Sequence, residues 1–356
     1  MNQEQSTVAM LHMFTHPVFA VEKGKVTQVN AAARQLSVTE GAALDQWLES
    51  GHEEYPQFQG GALSLSLCIC EVRYIATVLR SGTADFFHLQ TDFDAEDLRC
   101  LALSAQCMRE PLANIMAVSD LLFSKQNATQ ADTEHIAQLN RSTYQMLRIL
   151  SNMTDAASCK DRSYNMEVLD LAAITDSFAE SAKALAESTN RSIAYQGLAQ
   201  PVYTVCDRDM LERAFYNLLS NAIKFSPEHS TVKIAVSKTE NQVLVTVANP
   251  SEVFTSEDLG TVFFRYRRQP GLEEAKKGVG LGIPMVRAAA AAHKGTVLLN
   301  RDADANVAFT ISIAIRSANG SQLRSPVSTI DYAGGRSHGL LELSEVLPAS
   351  AYEKVN

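Results

Sequence analysis

The chain opens with short β-rich runs, in which apolar and polar positions alternate or apolar positions are continuous, separated by turn-like segments. PVFAVEKGKVTQVN, at 17–30, predicts two strands joined by a glycine-containing turn, and AAARQL, at 31–36, predicts a short helix. LSLSLCICEVRYIATVL, at 63–79, and DFFHLQ, at 85–90, are further β-rich runs. These elements predict a small α+β module over residues 10–92.

Residues 94–160 follow a different period, with positions on one helix face three and four residues apart in two series separated by polar SKQNATQADT. The first series comprises Leu98, Leu101, Ala105, Met108, Leu112, Ile115, Ser119 and Leu122, and the second Ile136, Leu139, Thr143, Met146, Leu150 and Met153. They predict an antiparallel helical hairpin with one apolar seam. Because a hairpin cannot bury this seam alone, we expect a four-helix bundle in a dimer. Packing against the chain's other domains is the alternative.

Residues 165–316 mix the two periods and predict an α/β sandwich. Helices are expected at DLAAITDSFAESAKALAESTN (170–190), RDMLERAFYNLLSNAIKF (208–225) and IPMVRAAAAAH, with strands at RSIAYQ, PVYTVC, TVKIAVS, QVLVTVA, GTVLL and VAFTISIAI. Residues 317–356 begin SANGSQLRSPVS and are typical of a linker, apart from one apolar segment, GLLELSEVL. We expect this tail either to be disordered or to dock elsewhere.

Composition restricts the class of protein. The length of 356 residues allows two or three domains, and 46% hydrophobic with 20% charged residues is typical of a globular protein. A formal net charge of −9 argues against a general nucleic-acid or anionic-membrane surface. No apolar run approaches the roughly 18 residues of a membrane span, and no signal-peptide pattern is present. Six cysteines without a CxxC pair predict reduced thiols in a cytoplasmic protein, without a zinc site.

The helix predicted at 208–225 carries the first candidate chemistry. Asn217 and Asn221 are four residues apart and therefore share one helix face, with Lys224 near them. A carboxamide oxygen is a hard ligand suited to Mg²⁺, and a lysine can neutralise phosphate. The alternative is a pair of exposed polar residues on an amphipathic helix.

A glycine-rich loop is the second candidate. In KKGVGLGIPMVRAAAAAHKG, Gly278, Gly280 and Gly282 alternate and lead directly into a helix. Backbone N–H groups and a helix N-terminus can approach phosphates in this geometry. The preceding basic segment, FFRYRRQPGLEEAKKG, could close over a nucleotide.

These motifs together resemble the ATP-binding domain of sensor histidine kinases, within the GHKL ATPase superfamily. DRDMLERAFYNLLSNAIKFSP fits the N box, with Asp207 preceding Asn217, and GVGLGIPMVRAAAAAHKGT fits the G2 box. VFFRYRR resembles the F box, with Phe263 and Tyr266 as its aromatics. The resemblance spans about residues 94–316. Residues 10–92 resemble a PAS sensor domain in size and opening.

The resemblance implies a multidomain protein with a GHKL (Bergerat) α/β sandwich and with ATP and Mg²⁺ as cofactors. It implies that Asn221 coordinates Mg²⁺ and that Asn217 and Lys224 contact phosphate or sugar. The 278–282 loop, including Leu281, would hold the triphosphate. A homodimer and a response regulator are the implied partners.

Two departures from the family pattern stand out. The G1 box, commonly DxGxG, here is Asn249-Pro250-Ser251-Glu252-Val253. In the family the aspartate accepts a hydrogen bond from the adenine amino group. Asn249 offers an uncharged carbonyl oxygen instead, and Ser251 and Val253 replace glycines. We expect weakened nucleotide binding.

The second departure lies in the first hairpin helix. The family has a histidine and an acid before x-R/Q-T/E-P-L, and aligning REPL at 109–112 places Gln106 at the phosphoacceptor and Cys107 at the acid. A glutamine amide is not nucleophilic, so ordinary autophosphorylation should be lost. Cys107 as a substitute acceptor or redox sensor is the alternative to an inert thiol. His135 is the nearest other histidine and is expected simply to face solvent.

The sequence thus predicts a histidine-kinase-like signalling protein of a two-component system, a pseudokinase that binds Mg-ATP without accepting phosphate itself. In the family, the γ-phosphoryl group passes to a histidine and then to an aspartate of the response regulator. One alternative is a kinase that acts in trans on the histidine of an intact kinase in a heterodimer. Another is a non-enzymatic dimeric scaffold that no longer binds ATP.

Overall fold

The computed structural model describes residues 16–91, 108, 112, 115, 119, 130–158, 164–251, 282–301, 306–316 and 337–353. Within these ranges, every helix is too short or too polar to cross a membrane. The cysteines described are Cys68, Cys70 and Cys206, and all three are free thiols. Burial raises the pKa of the Cys206 thiol to about 12.

The N-terminal α+β module is built on five antiparallel strands in the order β2-β1-β5-β4-β3. Its elements are β1 (Val18–Glu22), β2 (Lys25–Val29), α1 (Ala31–Gln35), α2 (Glu54–Gln57), β3 (Ala62–Ile69), β4 (Val72–Ser81) and β5 (Ala84–Thr91). The apolar sides of these strands form one core, in which Phe19 and Phe87 stack with their ring centroids 5.1 Å apart. The β-rich runs therefore predicted the strands correctly, and AAARQL predicted the short helix α1.

The hairpin region contains the long helix α3 (Gln130–Ser158), which packs against described helical positions of the preceding run. Leu112 packs on Leu147 and Leu150, and the Ser119 hydroxyl lies 2.6 Å from the Asn140 carboxamide oxygen. The earlier residue of the first run, Leu112, contacts the later part of α3, and the later residue, Ser119, contacts the earlier part. This order indicates antiparallel packing, as predicted.

The predicted seam on α3 is only partly buried within the chain. Thr143 and Leu150 are buried, whereas Leu139 and Met146 are 41% and 43% exposed. A second face, which includes Ala137, Asn140, Tyr144 and Arg148, is buried against the rest of the chain. The helix thus packs on the chain's other domains, the alternative in the prediction, and leaves part of the seam exposed.

The C-terminal half is an α/β sandwich, as predicted. Its elements are β6 (Glu167–Asp170), α4 (Leu171–Ala186), β7 (Ser192–Gln196), β8 (Tyr203–Cys206), α5 (Arg208–Phe225), β9 (Thr231–Lys238), β10 (Gln242–Pro250), α6 (Gly282–Ala292), β11 (Val297–Arg301) and β12 (Asn306–Ala314). Val243, Val245 and Val247 of β10 are buried under the helices, while Leu244 and Thr246 between them are only half-buried. The two-stranded sheet of β6 and β8 was not predicted.

The sheets of the two halves are continuous, which the division into separate domains did not predict. Strand β3 pairs antiparallel with β11, giving a ten-stranded order β2-β1-β5-β4-β3-β11-β12-β10-β9-β7. Gly61 permits the join, because a Cβ there would lie 2.2 Å from the carbonyl oxygen of Leu299. The pairing satisfies backbone groups of β11 that an edge strand would leave exposed.

The C-terminal segment 337–353 is folded, so the prediction of a linker-like tail over 317–356 is wrong for these residues. Helix α7 (His338–Glu342) is followed by a 3-10 turn at Ala349–Tyr352. The leucines of GLLELSEVL and the nearby tyrosine enter the core of the C-terminal half, with Leu341, Leu343, Leu347 and Tyr352 buried. Burial of this apolar surface explains why the segment docks, the other outcome that the sequence allowed.

Candidate nucleotide-binding site

The start of α5 is fixed by its cap. Asp207 precedes the helix, and its Oδ1 accepts a hydrogen bond from the backbone N–H of Met210 at 3.0 Å. The backbone N–H of Asp207 donates to Nε2 of His293 at 2.9 Å, while Nδ1 of His293 lies 2.7 Å from the carbonyl oxygen of Ala289. The histidine is therefore neutral, and burial lowers its pKa. This contact joins the beginning of α5 to the end of α6.

Asn217, Asn221 and Lys224 share one face of α5, as predicted. Asn217 is 1% exposed, which excludes the alternative of an exposed polar pair. Its Nδ2 donates to the carbonyl oxygen of Arg213 at 2.8 Å, and its Oδ1 accepts from Nη2 of Arg148 at 3.1 Å. Buried and held at both polar atoms, the Asn217 carboxamide has a fixed orientation.

A cavity of about 170 Å³ opens one turn further along α5. Its described lining residues are Asn221, Ala222, Phe225, Asn249, Ile283, Val307 and Phe309. Apolar walls with a few polar groups are typical of small-molecule sites, and here two carboxamides supply the polar groups. The chemistry of this lining suits a partly polar ring system such as a nucleobase.

Asn249 reaches this cavity from the end of β10. The residue pairs with Val307 of β12 and is 4% exposed, and its Nδ2 donates to the carbonyl oxygen of Pro250 at 3.0 Å. Ser251 is also buried but is not among the lining residues described. A cavity thus remains beside Asn249 despite the serine at a usual glycine position.

Gly282, the first residue of α6, lies against Asn217. A Cβ at position 282 would be 2.8 Å from Oδ1 of Asn217, closer than real Cβ contacts. A glycine here therefore lets the N-terminus of α6 approach the asparagine face of α5. The other predicted site residues lie outside the described residues, namely Gln106, Cys107, Phe263, Tyr266, Gly278, Gly280 and Leu281. His135 lies on α3 and is exposed, as predicted.

A cluster of charged side chains beside Asn217 was missed by sequence reasoning. Glu342 is wholly buried, and its two carboxylate oxygens lie 3.3 Å from Nε of Arg148 and 3.1 Å from Nε of Arg213. Glu345 lies 3.1 Å from Nζ of Lys224. The two glutamates within GLLELSEVL were the available signal, because acidic side chains in an apolar segment that docks need cationic partners.

Comparisons with known proteins relate the part of the chain that holds the candidate site to a family of ATPases. Residues 206–317 match the family model of the histidine kinase-, DNA gyrase B- and HSP90-like ATPases. The sensor histidine kinase CusS of Escherichia coli is 29% identical over 223 residues, which cover 62% of this chain and 44% of CusS. The chain is a relative of the sensor histidine kinases. The probable sensor protein PcoS of Escherichia coli is 30% identical over 195 residues, which cover 53% of this chain and 40% of PcoS.

The chain therefore spans less than half the length of these two relatives. Among solved structures, full-length ShkA in complex with AMPPNP matches with a TM-score of 0.49 and 20% identity, over 64% of this chain and 47% of ShkA. The mycobacterial sensor histidine kinase MprB matches with a TM-score of 0.36 and 20% identity, over 42% of this chain and 98% of that chain. The described site residues Asn217, Asn221, Lys224, Asn249 and Gly282 all fall inside the matched ATPase segment.

Proposed function

We propose that this chain binds Mg-ATP in the cavity between α5, β10 and α6 and uses the nucleotide for histidine-kinase-like signalling. The observation that carries the proposal is that Asn221 and Asn249 line one cavity, while Asn217 contacts the N-terminus of α6 one helical turn away. These residues belong to sequence motifs that are far apart in the chain. Their convergence inside the matched ATPase segment supports a common ligand.

Each described residue has a chemistry that suits part of the nucleotide. The apolar walls and the Asn249 carboxamide suit the adenine ring, and Asn221 offers an oxygen ligand for Mg²⁺. Asn217 and Lys224 lie on the same helix face, where they would contact phosphate or sugar. We assign the triphosphate to the loop containing Gly278, Gly280 and Leu281, with Phe263 and Tyr266 in the segment that closes over it.

We further propose that the chain signals without accepting a phosphoryl group at its own position 106. Gln106 has no nucleophilic nitrogen, and Cys107 does not supply the carboxylate that would orient an acceptor. The chain would then act as a nucleotide-dependent partner of a response regulator. The N-terminal α+β module, whose sheet joins that of the ATP-binding half, would be the PAS-like sensor.

A homodimer is part of the proposal. Leu139 and Met146 belong to the heptad seam of α3 and remain more than 40% exposed in the single chain. A second hairpin packed along this seam would bury them in a four-helix bundle. A heterodimer with an intact histidine kinase would use the same seam.

Calorimetry with Mg-ATP on the wild type and on Asn221→Ala tests nucleotide binding. We expect binding by the wild type and a loss of at least about tenfold in affinity for the variant, because one metal ligand is removed. Labelling with [γ-³²P]ATP should give no acid-labile phosphate on the wild type, and the double change Gln106→His/Cys107→Glu should restore it. No binding by the folded wild type would leave only the scaffold alternative.

A further inference from the structure

The folded C-terminal segment 337–353 contacts Lys224 directly and Asn217 through Arg148, and the proposed function assigns contacts with phosphate or sugar to both residues. We propose that this segment is a built-in competitor of the nucleotide. Until it is released, the segment occupies Lys224 directly and Asn217 through Arg148. The inference rests on the proposed function, since it concerns the phosphate side of the same site. It assigns a regulatory role to residues beyond the matched ATPase segment.

The first contact is an ion pair on Lys224. Oε2 of Glu345 lies 3.1 Å from Nζ of Lys224 and 3.5 Å from Nη1 of Arg148. The Lys224 and Glu345 side chains are only 16% and 25% exposed, so solvent screens the pair less than it would at a free surface. A phosphate oxygen that binds Lys224 must compete with the Glu345 carboxylate, which already pairs with this lysine.

The second contact acts on Asn217 through Arg148. Glu342 holds Nε of Arg148, and Nη2 of the same guanidinium donates to Oδ1 of Asn217. The Nδ2 group of Asn217 is engaged by the carbonyl oxygen of Arg213. Both polar atoms of this carboxamide are therefore satisfied without a nucleotide, and the guanidinium is held in place by a carboxylate of the C-terminal segment.

The segment is anchored on both sides of this cluster. On α3, Arg141 and Gln145 donate to the carbonyl oxygen of Ser344, and Asn140 donates to that of Tyr352. On the sandwich side, Gly339 fits so closely against α4 that a Cβ there would lie 2.6 Å from Leu185. The segment thus bridges α3 and the ATP-binding half.

This arrangement couples nucleotide binding to release of the segment. If phosphate binding requires the released state, the measured affinity is reduced by the fraction of molecules in which the segment is released. By linkage, saturating nucleotide must favour release by the same factor. A change that weakens only the segment's hold on Lys224 should therefore strengthen binding of nucleoside triphosphate.

The test compares Glu345→Gln with Glu228→Gln in the full chain. Glu228 is exposed just beyond α5, four residues along the chain from Lys224, so its substitution removes the same charge outside the segment. We expect Glu345→Gln to raise the affinity for Mg-ATP by about three- to fivefold, the effect of losing one partly buried ion pair. Affinity for adenosine, which lacks phosphates, should be unchanged in both variants.

Amide hydrogen exchange supplies a second readout on the wild type. Saturating Mg-ATP should speed exchange in residues 339–352, and adenosine should not. Equal or weaker Mg-ATP binding by Glu345→Gln, or unchanged exchange at saturation, would overturn the inference while leaving the nucleotide site intact. Absence of Mg-ATP binding by the wild type and both variants would overturn the proposed function and, with it, this inference.

Discussion

Arg148 and Glu342 are 194 residues apart in sequence, yet Nε of the arginine lies 3.3 Å from a carboxylate oxygen of the glutamate, and both side chains are buried. The same glutamate holds Arg213 of α5 through its other oxygen. One carboxylate therefore ties together the hairpin helix α3, the helix that carries the candidate site and the C-terminal segment.

Glu342→Gln should destabilise the protein because it leaves two buried guanidinium groups without their shared counter-charge. Breaking a buried pair from one side costs about 3–5 kcal/mol, and we expect a loss in that range in the free energy of unfolding. Chemical denaturation followed by circular dichroism measures it. Glu353→Gln, in a half-exposed residue of the same segment, is the control and should change stability little. Equal midpoints for the two variants would show that the cluster contributes nothing.

Gly282→Ala should weaken Mg-ATP binding through Asn217. The added Cβ would lie 2.8 Å from Oδ1 of Asn217, whose carboxamide is held by two hydrogen bonds and has no easy way to move. Crowding of this kind typically costs about 1–3 kcal/mol. Thermal unfolding and calorimetry with Mg-ATP measure the two effects.

A double-mutant cycle identifies the cause of any loss at Gly282. In an Asn217→Ala background the opposing oxygen is absent, so Gly282→Ala should cost much less stability there than in the wild type. Additive losses in the cycle would mean that the contact between these two residues is not what requires glycine.

Local sequence patterns predicted much of the fold and the centre of the site. The β-rich runs located the strands of both halves apart from β6, and the spacing of Asn217 and Asn221 placed them on one helix face. The turn at Cys70 and Glu71 was missed, because both residues have positive φ, of 50° and 64°, without the usual glycine or asparagine. That turn divides one long β-rich run into β3 and β4.

The remaining features depend on contacts between distant segments, which periodicity does not encode. The pairing of β3 with β11 joins two sheets whose strands each look complete in sequence. Likewise, nothing local to Arg148 marks Glu342 as its partner, and GLLELSEVL was equally compatible with disorder and docking. Sequence reasoning therefore located the asparagines of the candidate site but not the charged residues that hold them.

His293 should make stability depend on pH. Burial lowers its pKa below the ordinary value of about 6.5, against the opposing effects of the Ala289 carbonyl and Asp207. Below about pH 6.5 the unfolded chain thus binds a proton that the folded chain resists. The stabilising contribution of the neutral ring is present above that pH and is lost as the pH falls through the folded-state pKa.

The measurement for His293 is the urea midpoint between about pH 7.5 and pH 5.5, the window around the ordinary histidine pKa. The wild type should lose stability on acidification, and His293→Gln should be less stable at neutral pH but lose less on acidification. His229→Gln, at an exposed position, should follow the wild type. A steep loss retained in His293→Gln would assign the acid sensitivity to other groups.

Gly61→Ala should disrupt the junction between the N-terminal module and the C-terminal half. Gly61 has φ of +86°, and a Cβ there would lie 2.2 Å from the backbone carbonyl oxygen of Leu299, an atom that cannot swing aside. The adjacent Gly60 has open space around its Cβ position and no positive φ, so Gly60→Ala is a matched control. We expect a loss of about 2–3 kcal/mol for Gly61→Ala and a negligible effect for Gly60→Ala.

The site of the disruption at Gly61 is measurable by amide hydrogen exchange. Protection should fall at the paired residues 62–64 and 297–299, while β1 and β5, which pair elsewhere in the module, should keep theirs. Because β11 follows α6, a loosened junction should also weaken Mg-ATP binding, which calorimetry on the same variant measures. Undiminished protection at 297–299 in Gly61→Ala would show that the C-terminal half holds β11 without the N-terminal module, and the continuous sheet would then carry no coupling between the two halves.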